Sequence, residues 1–171
     1  MPQLAARVAD YSPAIGFYRN FGQNDMAETS QVYAKDLGNA LNEIYRSAFW
    51  RSTARFAEAR RRLNTTVSLE HGWDTYGAET PNDVARALAA RILYLLEEDA
   101  LPPTRLLPSA EGGIAMSFVE GDNRAEIEIY NTGEVAAVTY SAHSEPVAWE
   151  LSNADSALKN AIIDIRVHLA A

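Results

Sequence analysis

The pattern of apolar and polar positions changes character twice along the chain. Over the first thirty residues there is no clean period. Pro13, Gly16 and Gly22 interrupt the run, and Tyr11, Phe17, Tyr18 and Phe21 fall at irregular spacing. This predicts an irregular arm, residues 1–30, whose aromatic side chains dock on the protein's own core or on a partner. From residue 31 to 63, Leu41, Tyr45, Phe49, Phe56 and Leu63 recur in steps of four or seven. They form one narrow stripe on a 3.6-residue period and predict a long helix. Residues 64–80 read as a loop. A second helix is predicted from Thr80 as cap, Pro81 at the first helical position and Asp83 completing a capping box. Val84, Leu88, Ile92, Leu95 and Leu96 give it a core face, and Pro102 and Pro103 require it to stop near Asp99.

Beyond the prolines the period falls to two. Ile114–Val119, Ala125–Tyr130, Val135–Tyr140 and Val147–Leu151 read as strands. Glu120–Asn123 and Asn131–Gly133 read as hairpin turns, and Ser141–Pro146 as a longer link. Ala125, Ile127 and Ile129 alternate with Arg124, Glu126 and Glu128, so that strand is expected to bury one face and wet the other. Residues 104–108 add a short edge strand, limited by Pro108. A last helix opens on Ser152-Asn153-Ala154-Asp155, a second capping box, and carries the stripe Leu158, Ile162, Ile165 and Leu169. The predicted fold is α+β: an antiparallel four- to five-stranded meander covered on one face by helices and preceded by a long N-terminal helix. The length fits one domain, 1–171, with 64–171 as its helix–meander–helix core.

Composition narrows the chemistry. The absence of cysteine removes disulfides, thiolate metal sites and thiol nucleophiles, and fits a reducing compartment. The N-terminus has neither a basic n-region nor an apolar h-region, and no apolar run approaches the roughly 20 residues of a membrane helix. A cytoplasmic protein without membrane insertion is the expectation. The net charge is −8, unevenly spread: residues 1–65 hold nine Lys and Arg against six Asp and Glu, and residues 66–171 six against seventeen. So acidic a chain disfavours general nucleic-acid binding, the basic N-terminal part being the local exception.

The most distinctive segment is His71-Gly72-Trp73-Asp74-Thr75-Tyr76-Gly77-Ala78. With Gly112-Gly113-Ile114 after the next helix, it resembles a set of small bacterial proteins of uncharacterised function. These carry a Trp-Asp-x-Tyr-Gly-Ala loop, then a helix, then a strand opening on Gly-Gly-Ile. The resemblance covers about residues 70–130 and implies no activity. Physically, Gly72 and Gly77 permit a tight loop, Trp73 and Tyr76 bring large rings with polar tips, and Asp74 can accept from loop amides. Such a loop anchors the second helix to the sheet, or forms a ligand or partner pocket from His71, Trp73, Asp74 and Tyr76. Catalysis by Asp74 with His71 lacks a nucleophile at any recognisable spacing. A Trp73 ring buried as a core plug predicts a loss of about 3–5 kcal/mol for Trp73→Ala.

Metal and cofactor signals are weak. His71, His143 and His168 form no paired motif, and no cofactor is expected. Glu97-Glu98-Asp99 and the pair Glu126/Glu128 read as solvated faces. Gly112-Gly113 lacks the rest of a phosphate loop, and Ser109 and Ser117 lie in no nucleophile elbow.

The long helix is more informative. On a helical wheel Arg51, Arg55 and Arg62 cluster on one flank of the stripe, and Trp50 lies roughly 140° from its centre. A Trp turned from its own core among Arg46, Arg51, Arg55 and Arg62 has the composition of an interface hot spot, unless another element covers it. The sequence therefore predicts a non-enzymatic protein-binding module (an inhibitor, antitoxin-like partner or assembly subunit) using the arm and this helix. The alternatives are a small-molecule-binding protein or small enzyme using loop 71–78, and a nucleic-acid-binding accessory protein using the arginines.

Overall fold

The computed structural model describes the backbone of residues 23–142 and 144–171, and side chains from residue 34 onward. The predicted arm's aromatics and His143 lie outside the described residues. The elements are α1 (Gln23–Thr65), a 3-10 turn (Thr66–Ser68), α2 (Asp83–Glu98), β1 (Arg105–Ser109), β2 (Gly113–Glu120), β3 (Asn123–Tyr130), β4 (Val135–Ser141), β5 (Ser144–Leu151) and α3 (Asp155–Ala170). The fold is α+β, with a five-stranded open antiparallel sheet in the order β1-β2-β3-β4-β5. The chain divides into two compact units between Ser47 and Ala48. In the first, the described side chains Leu37, Leu41, Ile44 and Tyr45 of α1 are exposed.

The second unit holds the sheet and the core. Register places alternate residues of every strand on one face. Leu106, Met116, Ile127, Ala137 and Trp149 line up across all five strands, and Ile114, Ile129, Val135 and Leu151 form a neighbouring row. Ile127 and Ile129 are buried, and Trp149 packs half-buried against the same cluster. Against these rows lie Ala85, Ala89, Ile92, Leu93 and Leu96 of α2, and all four predicted positions of α3, Leu158, Ile162, Ile165 and Leu169. Phe56, Ala59 and Leu63 of α1 complete the core. Both edge strands contain a proline, Pro108 in β1 and Pro146 in β5, and the central three have none. That is where a missing N–H costs no ladder bond.

Several local expectations are corrected. Helix α1 begins at Gln23, inside the predicted arm. Residues 23–30 lack an apolar period but contain no Gly or Pro to break a helix. Helix α2 is capped by Asn82, which accepts from the Ala85 amide at 3.0 Å, so the Thr80/Pro81 start is two residues early. Its buried face runs through Ala85, Ala89, Ile92 and Leu93, and Val84 is exposed, so the face is turned toward the alanines. The capping box at Ser152 does not form: α3 starts at Asp155 with no side-chain cap, and Asn153 instead donates to the Gly133 carbonyl at 2.8 Å. The Ser141–Pro146 link is largely strand, with Ser141 paired to Ser144 and an irregularity between Thr139 and Ser141.

The acidic end of α2 is not simply a solvated face. Glu97 pairs with Arg60 of α1, Glu98 with Lys159 at 3.1 Å and Asp99 with Arg166 at 2.9 Å. Arg91 joins Asp155 at the other end of the same helix pair. These partly exposed pairs contribute at most about 1 kcal/mol each but fix how the helices meet.

Candidate functional site

The loop before α2 is organised by its own backbone. Asp74 accepts from the amides of Tyr76 at 2.9 Å and Ala78 at 3.0 Å. These bonds, Ala78's first, hold its carboxyl below the usual range. The Gly72 amide donates to the Ala78 carbonyl at 3.0 Å, closing the loop, and Gly72 and Gly77 take the positive φ that this requires. Trp73 is half-buried, with its indole N–H 3.4 Å from the Glu79 carbonyl, so the ring braces the loop and is no deep core plug. Tyr76 is 93% exposed and His71 is exposed too. With its carboxylate engaged by amides, Asp74 is an organiser of the turn.

Sequence reasoning missed the residue that ties this loop to the sheet. Asn131, in the β3–β4 turn, donates through Nδ2 to the Thr80 carbonyl at 2.9 Å and accepts through Oδ1 from the Asn82 amide at 2.8 Å. The Asn82 side chain returns a bond to the Asn131 carbonyl at 2.9 Å, and the Asn131 amide donates to the Gly112 carbonyl at 3.0 Å. The end of the loop and the Gly112-Gly113-Ile114 segment therefore meet at one asparagine. A Cβ on Gly113 would lie 2.0 Å from the Ile129 carbonyl oxygen, which explains the glycine without any phosphate. The signal available in the sequence was only an Asn in a turn.

On the open face of the sheet, Glu128 accepts from Ser109 Oγ and from the Tyr130 hydroxyl at 3.0 Å, and Ser117 donates to Glu126 at 3.2 Å. Partial burial, aided by Glu128, pushes the Tyr130 hydroxyl up to about 12. The tyrosine stays protonated and a donor, so these contacts satisfy half-buried groups across strands. Among the described residues no three His, Asp or Glu side chains gather where a metal could be held.

The arginine-rich part of α1 divides. Arg62 is bound to Glu58 at 2.6 Å, and Arg61 reaches the same carboxylate at 2.8 Å. The two guanidiniums hold the Glu58 carboxyl down at about 2. Arg46, in the first unit, lies 4.0 Å from Glu43. Arg51 is exposed, and Arg55 has no ion-pair partner among the described residues. Trp50 is 63% exposed, as its wheel position predicts. The predicted apolar stripe is not continuous in burial. Phe56 and Leu63 are in the core, whereas Leu41, Tyr45 and Phe49 are exposed. A helical period defines a face but not what covers it. Phe49 and Trp50 contact each other edge to face, with ring centroids 5.8 Å apart and planes at 74°. Among the described residues no helix is long and apolar enough to cross a membrane. No protein-family profile, curated protein or solved structure matches this chain.

Proposed function

We propose that the chain is a cytoplasmic, non-enzymatic protein-binding module whose contact face is centred on Phe49 and Trp50, an inhibitor, antitoxin-like partner or assembly subunit. One observation carries the reading: both rings lie about two-thirds exposed, at 64% and 63%, on a helix whose next turns are anchored in the core through Phe56, Ala59 and Leu63. Large rings held out on a rigid element lose little conformational freedom on binding, and Trp with Arg dominates interface energies. Arg51 and Arg55 follow within two turns and add directional contacts and steering toward an acidic partner. In the first unit, Leu37, Leu41, Ile44 and Tyr45 supply a second exposed apolar face of α1.

A photocrosslinking amino acid in place of Trp50 tests this in host cells, with the same group in place of the equally exposed Val167 of α3 as control. Protein adducts specific to position 50 are expected. Adducts to nucleic acid, or the same adducts from both positions, would contradict the proposal.

A further inference from the structure

Beside the edge strand β1, the C-terminal part of α1 forms a groove of about 210 Å³ within the second unit. Its apolar wall includes Ala54, Ala59, Pro103 and Leu106. Three guanidinium-bearing residues line it, Arg55, Arg62 and Arg105, against one carboxylate, Glu58, which Arg61 and Arg62 already occupy. Arg55 and Arg105 have no ion-pair partner among the described residues, although residues 66–171 carry a large acidic excess. Arg55 also lines a second groove of about 280 Å³, with Leu101, Pro102 and Val119, so the apolar surface continues on its other side.

The volume is below the roughly 300–1,000 Å³ of a drug-sized site. It suits single apolar side chains presented by a longer molecule. The location suits an extended segment, because β1 has a sheet neighbour, β2, on one side only. The two unpaired guanidiniums beside the groove call for carboxylates on that segment. We propose that this groove docks an extended segment of a partner protein in which an apolar side chain stands beside Asp or Glu. The inference rests on the protein-binding reading and names the chemistry of the partner's contact. An acidic segment is repelled over most of this chain's surface, so the basic corner also confers selectivity.

The test is selection from a random heptapeptide display library against the full chain. Wild-type, Arg55→Glu/Arg105→Glu and Trp50→Ala proteins serve as baits. Wild type is expected to enrich peptides pairing Asp or Glu with Leu, Ile, Val or Phe. The double reversal is expected to weaken synthetic copies of those peptides at least about tenfold. Both arginines are exposed, so the melting temperature should be unchanged; if it falls, Arg55→Gln alone replaces the double variant. No enrichment, enrichment of basic or uncharged sequences, or unchanged affinity after reversal would overturn the inference. Peptide selection is expected to survive Trp50→Ala. Failed selection with specific crosslinks at position 50 overturns the groove alone, and selection without such crosslinks overturns the Phe49–Trp50 face alone.

Discussion

Asn131 spends its side chain and both of its backbone polar groups on two segments distant in sequence, residues 80–82 and Gly112, and this sets what single substitutions should do. Asn131→Ala orphans the Thr80 carbonyl and the Asn82 amide. A loss of about 2 kcal/mol by chemical denaturation is expected, and a change within error would show that water replaces both bonds. Gly113 has φ of +146°, and its missing Cβ makes room for a carbonyl. Gly113→Ala should cost about 3 kcal/mol or more, read as a lowered denaturation midpoint. Trp73 is half-buried, so Trp73→Ala should cost about 1–2 kcal/mol, well under the loss for a buried plug. Asp74 gives the pH dependence. Its folded pKa is depressed by the amides of Ala78 and Tyr76, so the stabilisation is complete above the usual carboxylate range. It is lost as pH falls through the depressed folded value. Asp74→Asn should therefore flatten the acid limb of a melting-temperature profile below about pH 4 and leave its slope at neutral pH unchanged. An identical acid limb in the variant would show that the amides do not favour the charged form.

Among the elements, legibility followed how strongly each position's neighbours constrain it. The meander was readable because period-two alternation and short turns fix both strand and register, and the α3 stripe was readable because all four of its positions point into the core. Helix starts were not. Capping-box spacing occurs at Thr80 and Ser152, but Asn82 caps α2 and the Ser152 hydroxyl accepts from the nearby Ala154 amide, because such residues bond local backbone in several ways that spacing alone does not separate. The face of α2 was misread at Val84 because Ala85 and Ala89, weak in any hydrophobic pattern, are fully buried on that face. The candidate site was half legible. The wheel placed Trp50 outside the core, yet assigned Phe49 to it, since periodicity cannot see that cover ends between Phe49 and Phe56.

For the molecule as a whole, the second unit holds the buried core, and α1 carries the exposed rings Phe49 and Trp50. The acidic end of α2 is matched internally by Arg60, Lys159 and Arg166, so those charges serve the fold. Among the described residues Arg55 has no ion-pair partner and Phe49 and Trp50 stay about two-thirds exposed, and under the proposed function these groups are left for a second molecule. If so, folding and association separate at Trp50. The most direct measurement compares wild type and Trp50→Ala in two assays on the same material: equilibrium unfolding, and affinity for the protein crosslinked at position 50. Unfolding free energies within about 0.5 kcal/mol, with association weakened by about 2 kcal/mol or more, are the predicted result. Unchanged affinity, or a variant that no longer folds, would contradict it.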